Sequence, residues 1–236
     1  MPRHERFINL ATCGLKVRED AEGQQGREVV GTPIVFGVRS VNLTPWSNYR
    51  EVYEVLEPGC ISEELLRSSD VIFNGWHRGD VVFGRSVNGK GTLKLTLDDG
   101  QVRSECEMPN TTAANDMLEL IRRGDITGMS FAFEDDEEDS ENGVSYELKE
   151  KRSSDGKEVW LRHVKKITRL HDVSIVTHPA YQQTSVSQRE FGEELMKRID
   201  ASVGNASKRE NNEDPTAEEA ARKEARRRLT ETLLLT

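Results

Sequence analysis

Histidine, the side chain suited to proton transfer near neutral pH, occurs five times in this chain of 236 residues. The histidines are His4, His77, His163, His171 and His178. His4 lies in a mixed opening stretch that offers nothing to hold it. His77 follows Asn74-Gly75-Trp76, a turn between two apolar runs. Such a frame can hold a polar side chain for use, although an ordinary surface-turn histidine fits the same place. Ser130 stands in Gly128-Met129-Ser130-Phe131-Ala132-Phe133. A tolerated small residue in an apolar strand is the plain reading there, and an activated hydroxyl is the sharper one. A serine hydroxyl is a weak nucleophile until a neighbouring imidazole takes its proton. The imidazole then needs a partner that fixes its tautomer and stabilises its cation.

Other chemistries fit less well. Gly128-x-Ser130-x-Ala132 has the spacing of a nucleophile elbow, but that motif needs a strand, a tight turn and a helix, then an acid and a histidine. An acidic loop follows Ser130 instead, and Asp172 and His178 crowd onto one short stretch. His163, His171 and His178, with Asp172, could be read as a metal-dependent hydrolase site. A zinc site needs three or four converging donors, none of these spacings is HExxH, and neighbours on a strand such as His171 and Asp172 face opposite sides. The acidic run Glu134 to Glu141 lacks the Gly-containing loop of a calcium site. We therefore expect no metal and no cofactor.

The elements that must position these residues are mostly strands. Strand-like runs cover Thr32 to Val38, Tyr49 to Leu56, Val71 to Phe73, Val81 to Arg85 and Ile126 to Phe133. Thr92 to Leu97 is apolar at every second position, turns at Asp98-Asp99-Gly100 and returns over Gln101 to Glu107. Trp160 to Val164 and Ile167 to Val176 complete the set. Ser62 opens a short helix, and Asn110 to Gly124 reads as a longer one, with a polar cap, basic residues in its last turn and glycine at its end. Glu134 to Asn142 is expected as a solvated loop that cannot pack. Residues 1–30 read as a loose arm and 31–190 as the domain. Residues 191–236 read as a charged helical or partly disordered tail, flexible around Gly204-Asn205-Ala206-Ser207, with a helix start at Asp214-Pro215.

Composition bounds the function. Charged residues make up 32% and hydrophobic ones 35%, polar enough that part of the chain should be solvated. A net charge of −9 speaks against a general nucleic-acid binder, which needs a basic footprint. Cys13, Cys60 and Cys106 are odd in number and form no CxxC pair, which fits a reducing cytosol. No apolar run approaches the roughly 18 residues of a membrane span, and the N-terminus shows no signal pattern. We expect a soluble intracellular protein without nucleic-acid or membrane partners.

Three blocks of the chain resemble the prohead (procapsid maturation) proteases of tailed phages. The first is Asn74-Gly75-Trp76-His77 with Val82-Phe83-Gly84-Arg85 and Gly91-Thr92-Leu93-Lys94-Leu95. The second is Met108-Pro109-Asn110-Thr111 leading to Arg123-Gly124-Asp125-Ile126-Thr127-Gly128-Met129-Ser130-Phe131-Ala132-Phe133. The third runs from Leu170-His171-Asp172-Val173-Ser174 to His178-Pro179-Ala180-Tyr181. The resemblance implies Ser130 as nucleophile and His77 as base. As third member it implies Asp172, with His171 the alternative because herpesvirus relatives use a second histidine. It also implies a mainly β (α+β) fold, a small closed β-barrel with flanking helices like the herpesvirus assembly proteases. An asparagine often directly precedes the family histidine, whereas Gly75-Trp76 intervenes here, which leaves the role of Asn74 open.

That resemblance implies a serine endopeptidase that cleaves scaffold and capsid-protein segments, and itself, inside the assembling prohead in the host cytoplasm. Its partners would be the major capsid protein, scaffold or a delta-like domain, and the portal, with a homodimer as a further assembly. The rival from another class is an inactive protease-like scaffold protein.

Overall fold

Alternation of apolar with small or polar residues builds the sheet on which the chemistry depends. Met129, Phe131 and Phe133, Val173 and Ile175, and Val71 and Phe73 are buried in one core cluster. Ser130 and Ser174, which lie between them, and Asn74, which follows Phe73, belong to the other face of the same strands, because successive side chains on a strand point to opposite sides. The computed structural model describes residues 4–8, 13–19, 23, 26–98, 100–177 and 186–210.

In chain order the first strands are β1 (His4–Ile8), β2 (Lys16–Arg18), β3 (Glu28–Val35), β4 (Arg50–Leu56), β5 (Asp70–Gly75), β6 (Val82–Val87) and β7 (Lys90–Gly91). They are followed by β8 (Leu93–Asp98), β9 (Gln101–Glu107), β10 (Gly128–Asp135), β11 (Val144–Lys151), β12 (Glu158–Val164) and β13 (Ile167–Val176). The helices are α1 (Glu63–Ser68), α2 (Thr112–Arg123) and α3 (Val186–Glu210). The chain divides into two units, Met1–Arg189 and Glu190–Thr236.

The first unit is mainly β, as expected, but its described strands form three sheets rather than one closed barrel. They are a six-stranded sheet β1-β10-β13-β5-β6-β7, a three-stranded sheet β11-β12-β4 and a four-stranded sheet β2-β3-β9-β8. β13 and β5 pair in parallel, as do β12 and β4, and the other pairings are antiparallel.

α2 forms where its end signals sit. The Thr111 side chain accepts from Ala114 N, and Gly124 closes the helix at φ 78°, a left-handed conformation that costs glycine little. Ser62 caps α1 in the same way, accepting from Leu65 N. Ala114, Met117, Leu118 and Ile121 are the buried face of α2.

Three expectations meet different structure. The stretch read as a loose arm contains β1, β2 and the start of β3, with β1 pairing along the edge of β10. The acidic run is not all solvated: β10 continues to Asp135, and Arg162, with a fully buried side chain, draws Asp135 and Glu137 inward. Its guanidinium reaches Glu54 at 2.6 Å, Asp135 at 2.5 Å and Glu137 at 2.6 Å. Burial pulls the Arg162 pKa down, but the carboxylates of Glu54 and Asp135 more than reverse this and keep the group charged. Finally, Gly204 to Ser207 lies within α3 rather than in a flexible connector, and Leu195, Met196 and Ile199 of that helix are buried. The helix start expected at Asp214-Pro215 falls outside the described residues.

Candidate active site

Sheet register brings the first two polar residues together. Ser130 on β10 lies opposite Ser174 on β13, and Ser174 lies beside Asn74 on β5. The three make a row across three adjacent strands, and all are buried, Ser130 completely. Asp172, two residues before Ser174, belongs to the same face.

His77 reaches this row through an unusual turn. β5 ends at Gly75, and Trp76 and His77 then both adopt left-handed backbone, at φ 54° and 57°. Such a conformation costs a residue with a side chain roughly 1–2 kcal/mol. Two bonds to β13 offset it, because Trp76 N donates to Ile175 O at 3.0 Å and His77 N donates to Ser174 Oγ at 2.9 Å. Each is worth about 1 kcal/mol net. The chain thus doubles back over its own sheet and lays the imidazole above the row, its side chain only 6% exposed.

The ring then bridges two groups. Nε2 lies 2.6 Å from Ser130 Oγ, and Nδ1 lies 2.6 Å from Asp172 Oδ1. A carboxylate accepts from Nδ1–H, which leaves Nε2 with its lone pair directed at the serine hydroxyl. That tautomer can take a proton from Ser130, and the adjacent carboxylate stabilises the imidazolium that forms. Ser174 Oγ also approaches, at 3.2 Å from Nδ1 and 3.3 Å from Asp172 Oδ1.

Two of the other histidines go elsewhere. His171 occupies the bulge left where pairing jumps from Ala132–Asp172 to Phe133–Leu170, and its Nε2 lies 2.8 Å from Glu134 Oε1. His163 sits on β12 in the three-stranded sheet, between Glu57 at 2.6 Å and Glu147 at 3.1 Å. His178 lies outside the described residues. Among the described residues no group of three or more His, Cys, Asp or Glu side chains is arranged to hold a metal ion.

Residues 14–199 match the model of the caudovirus prohead serine proteases. The chain belongs to that family. No curated protein and no solved structure matches it. As a prohead serine protease it has a proteolytic role in phage capsid maturation, exercised with prohead components such as capsid proteins inside the assembling prohead in the host cell. No described helix is long and apolar enough to cross a membrane. The matched span includes β5, β10 and β13 and leaves β1 outside.

Sequence reading passed over Ser174 as part of the site. Its signal was spacing: two residues after a candidate acid on a strand is the next position on the same face.

Proposed function

We propose that Ser130, His77 and Asp172 are the nucleophile, general base and orienting acid of an endopeptidase that cuts scaffold and capsid-protein segments in the immature shell. The observation that carries this is the position of the His77 ring, with Nε2 at 2.6 Å from Ser130 Oγ and Nδ1 at 2.6 Å from Asp172 Oδ1. In the reaction Ser130 Oγ attacks the scissile carbonyl carbon as its proton passes to Nε2. The imidazolium then gives that proton to the leaving amine, and an acyl-enzyme remains on Ser130. Water enters, loses a proton to Nε2 and hydrolyses the ester, which restores the serine. Asp172 stays ionised throughout and holds the ring.

Major capsid protein, a scaffold or delta-like domain, and portal are the proposed partners, with a homodimer as a further assembly. Self-cleavage beyond about residue 190 belongs to the same reading, because a tethered segment meets an active site of its own assembly at an effective concentration on the order of mM. Ser130 is fully buried, so any peptide, including the chain's own, reaches it only after the site opens.

Coexpression with the capsid gene of the same genome, read by intact mass, tests the proposal. Wild-type protein should shorten the capsid protein and its own C-terminal segment, and Ser130→Ala should leave both at full length. Processing by Ser130→Ala at the wild-type rate would sink the assignment. His77→Ala should be equally inactive, and the double variant should lose little more, since members of a catalytic unit are not additive.

A further inference from the structure

Asn74 and Ser174 have no assigned part in the reaction, yet both are buried, Ser174 Oγ lies 3.2 Å from His77 Nδ1, and Asn74 Oδ1 is bonded to that same Ser174 oxygen. A hydroxyl so close to Nδ1 is a hazard as well as a support. Were the Ser174 hydroxyl to donate a hydrogen bond to Nδ1, that nitrogen would have to be the unprotonated acceptor. Nε2 would then carry the ring proton and face Ser130 as a donor, unable to take the serine proton.

The structure shows where the Ser174 proton goes instead. Ser174 Oγ donates to Asn74 Oδ1. Its lone pairs are thereby left for the His77 backbone N–H, at 2.9 Å, and for Nδ1–H, at 3.2 Å. One hydroxyl proton cannot serve Asn74 Oδ1, Asp172 Oδ1 and Nδ1 together, and Asn74 Oδ1 is the nearest of the three. The same oxygen ties down the left-handed backbone of His77.

We propose that Asn74 and Ser174 are positioning residues that lock His77 in the tautomer able to accept the Ser130 proton and hold its backbone over the sheet. This rests on the triad reading above. It gives a use to the asparagine that stands three residues before the histidine. Neither residue touches the substrate. Asn74 acts through Ser174, and Ser174 acts through His77.

The test uses the full chain with Ser174→Ala, Asn74→Leu, their double variant and Ser174→Thr, assayed on a peptide substrate. Ser174→Ala and Asn74→Leu should each lower kcat on the order of 10- to 100-fold, as loss of one buried hydrogen bond does, with KM nearly unchanged. The double variant should be no worse than the poorer single one, and Ser174→Thr, which keeps the hydroxyl, should recover most of the rate. The decisive readout is the 15N spectrum of His77 recorded in a Ser130→Ala background, which needs no activity. The protonated nitrogen should be Nδ1 when Asn74 is present, and a mixture of tautomers should appear with Asn74→Leu. Should Asn74→Leu not fold, Asn74→Ala removes the same acceptor by truncation. A pure Nδ1–H ring and an unchanged kcat without the Asn74 acceptor would overturn this inference and leave the triad standing if Ser130→Ala is inactive. Full activity of Ser130→Ala would instead overturn the triad.

Discussion

Asp172 Oδ1 lies 2.6 Å from His77 Nδ1, although 95 residues separate the two in the chain. His171, the adjacent residue, is 2.8 Å from Glu134 instead. This division of two neighbouring side chains sets the first prediction. Asp172→Ala should lower kcat by roughly 10²–10⁴-fold, the scale of losing an orienting carboxylate in a serine triad. His171→Ala should leave kcat almost unchanged. Steady-state kinetics of both on one peptide substrate checks this, and a larger loss from His171→Ala would make the histidine the third member.

A second prediction concerns β1. It is the edge strand beside β10, and Phe7 lies in register with Ser130. Proteins commonly capture an extended peptide by adding it to a sheet edge, and on this side of β10, the strand of Ser130, β1 already pairs. Deleting residues 1–8 should therefore raise the rate on an extended peptide while affecting a single-residue ester much less. Equal rates with and without β1 would mean that peptides enter by another route.

Arg162 anchors a third. Its buried guanidinium is shared by Glu54, Asp135 and Glu137 from β4, the end of β10 and the loop after it. Removing one partner of such a group costs about 3–5 kcal/mol, because charge is left behind in a dry interior. Arg162→Met should lower the urea midpoint by a corresponding amount, and an unchanged midpoint would show that the cluster contributes nothing to stability.

The thiols give a pH dependence. Burial first, and then the charge of Glu54, pushes the Cys60 pKa up to about 12. Burial, followed by Glu107, does the same to Cys106, also to about 12. Both lie above the unfolded value of about 8.5. The native state thus keeps its full advantage below pH ~8.5 and loses it as pH rises toward 12, since only the unfolded chain ionises these thiols in that window. Pulsed alkylation at pH 9 should be slow in the native protein and fast in denaturant, and the denaturation midpoint should fall between pH 8 and 10. Rapid native alkylation of Cys60 would contradict both statements.

The sequence showed what local chemistry controls. α2 was readable because Thr111 and Gly124 mark its ends, and the β8–β9 hairpin because Leu93, Leu95 and Leu97 alternate up to Gly100. β11 was not readable. Val-Ser-Tyr-Glu-Leu-Lys-Glu-Lys looks solvated, and it is a strand because β12 supplies its partner groups. Asp135 looked solvated for the same reason, its counter-charge being 27 residues away on β12. Triad candidates could be named from residue types and the family resemblance. The resemblance already put Asp172 ahead of His171; that Asp172 lies against the His77 ring while His171 turns to Glu134, and that Ser174 and Asn74 lie beside it, depends on which strands lie side by side and where β13 bulges. No local pattern encodes that.

The placement of β13 between β10 and β5 also bears on when the chain can act. Loop closure between distant segments is slow, because its entropy is lost before the contacts that repay it have formed. His77 meets Ser130 across 53 residues and Asp172 across 95, and both meetings depend on a strand that leaves the ribosome last of the three. On the proposed triad, a nascent chain that has emerged only as far as β12 holds Ser130 and His77 but has no Asp172 to orient the ring and no Ser174 to hold the His77 turn. With that triad the growing polypeptide is unarmed during synthesis, and cutting power arrives in one step, with the closing of the sheet.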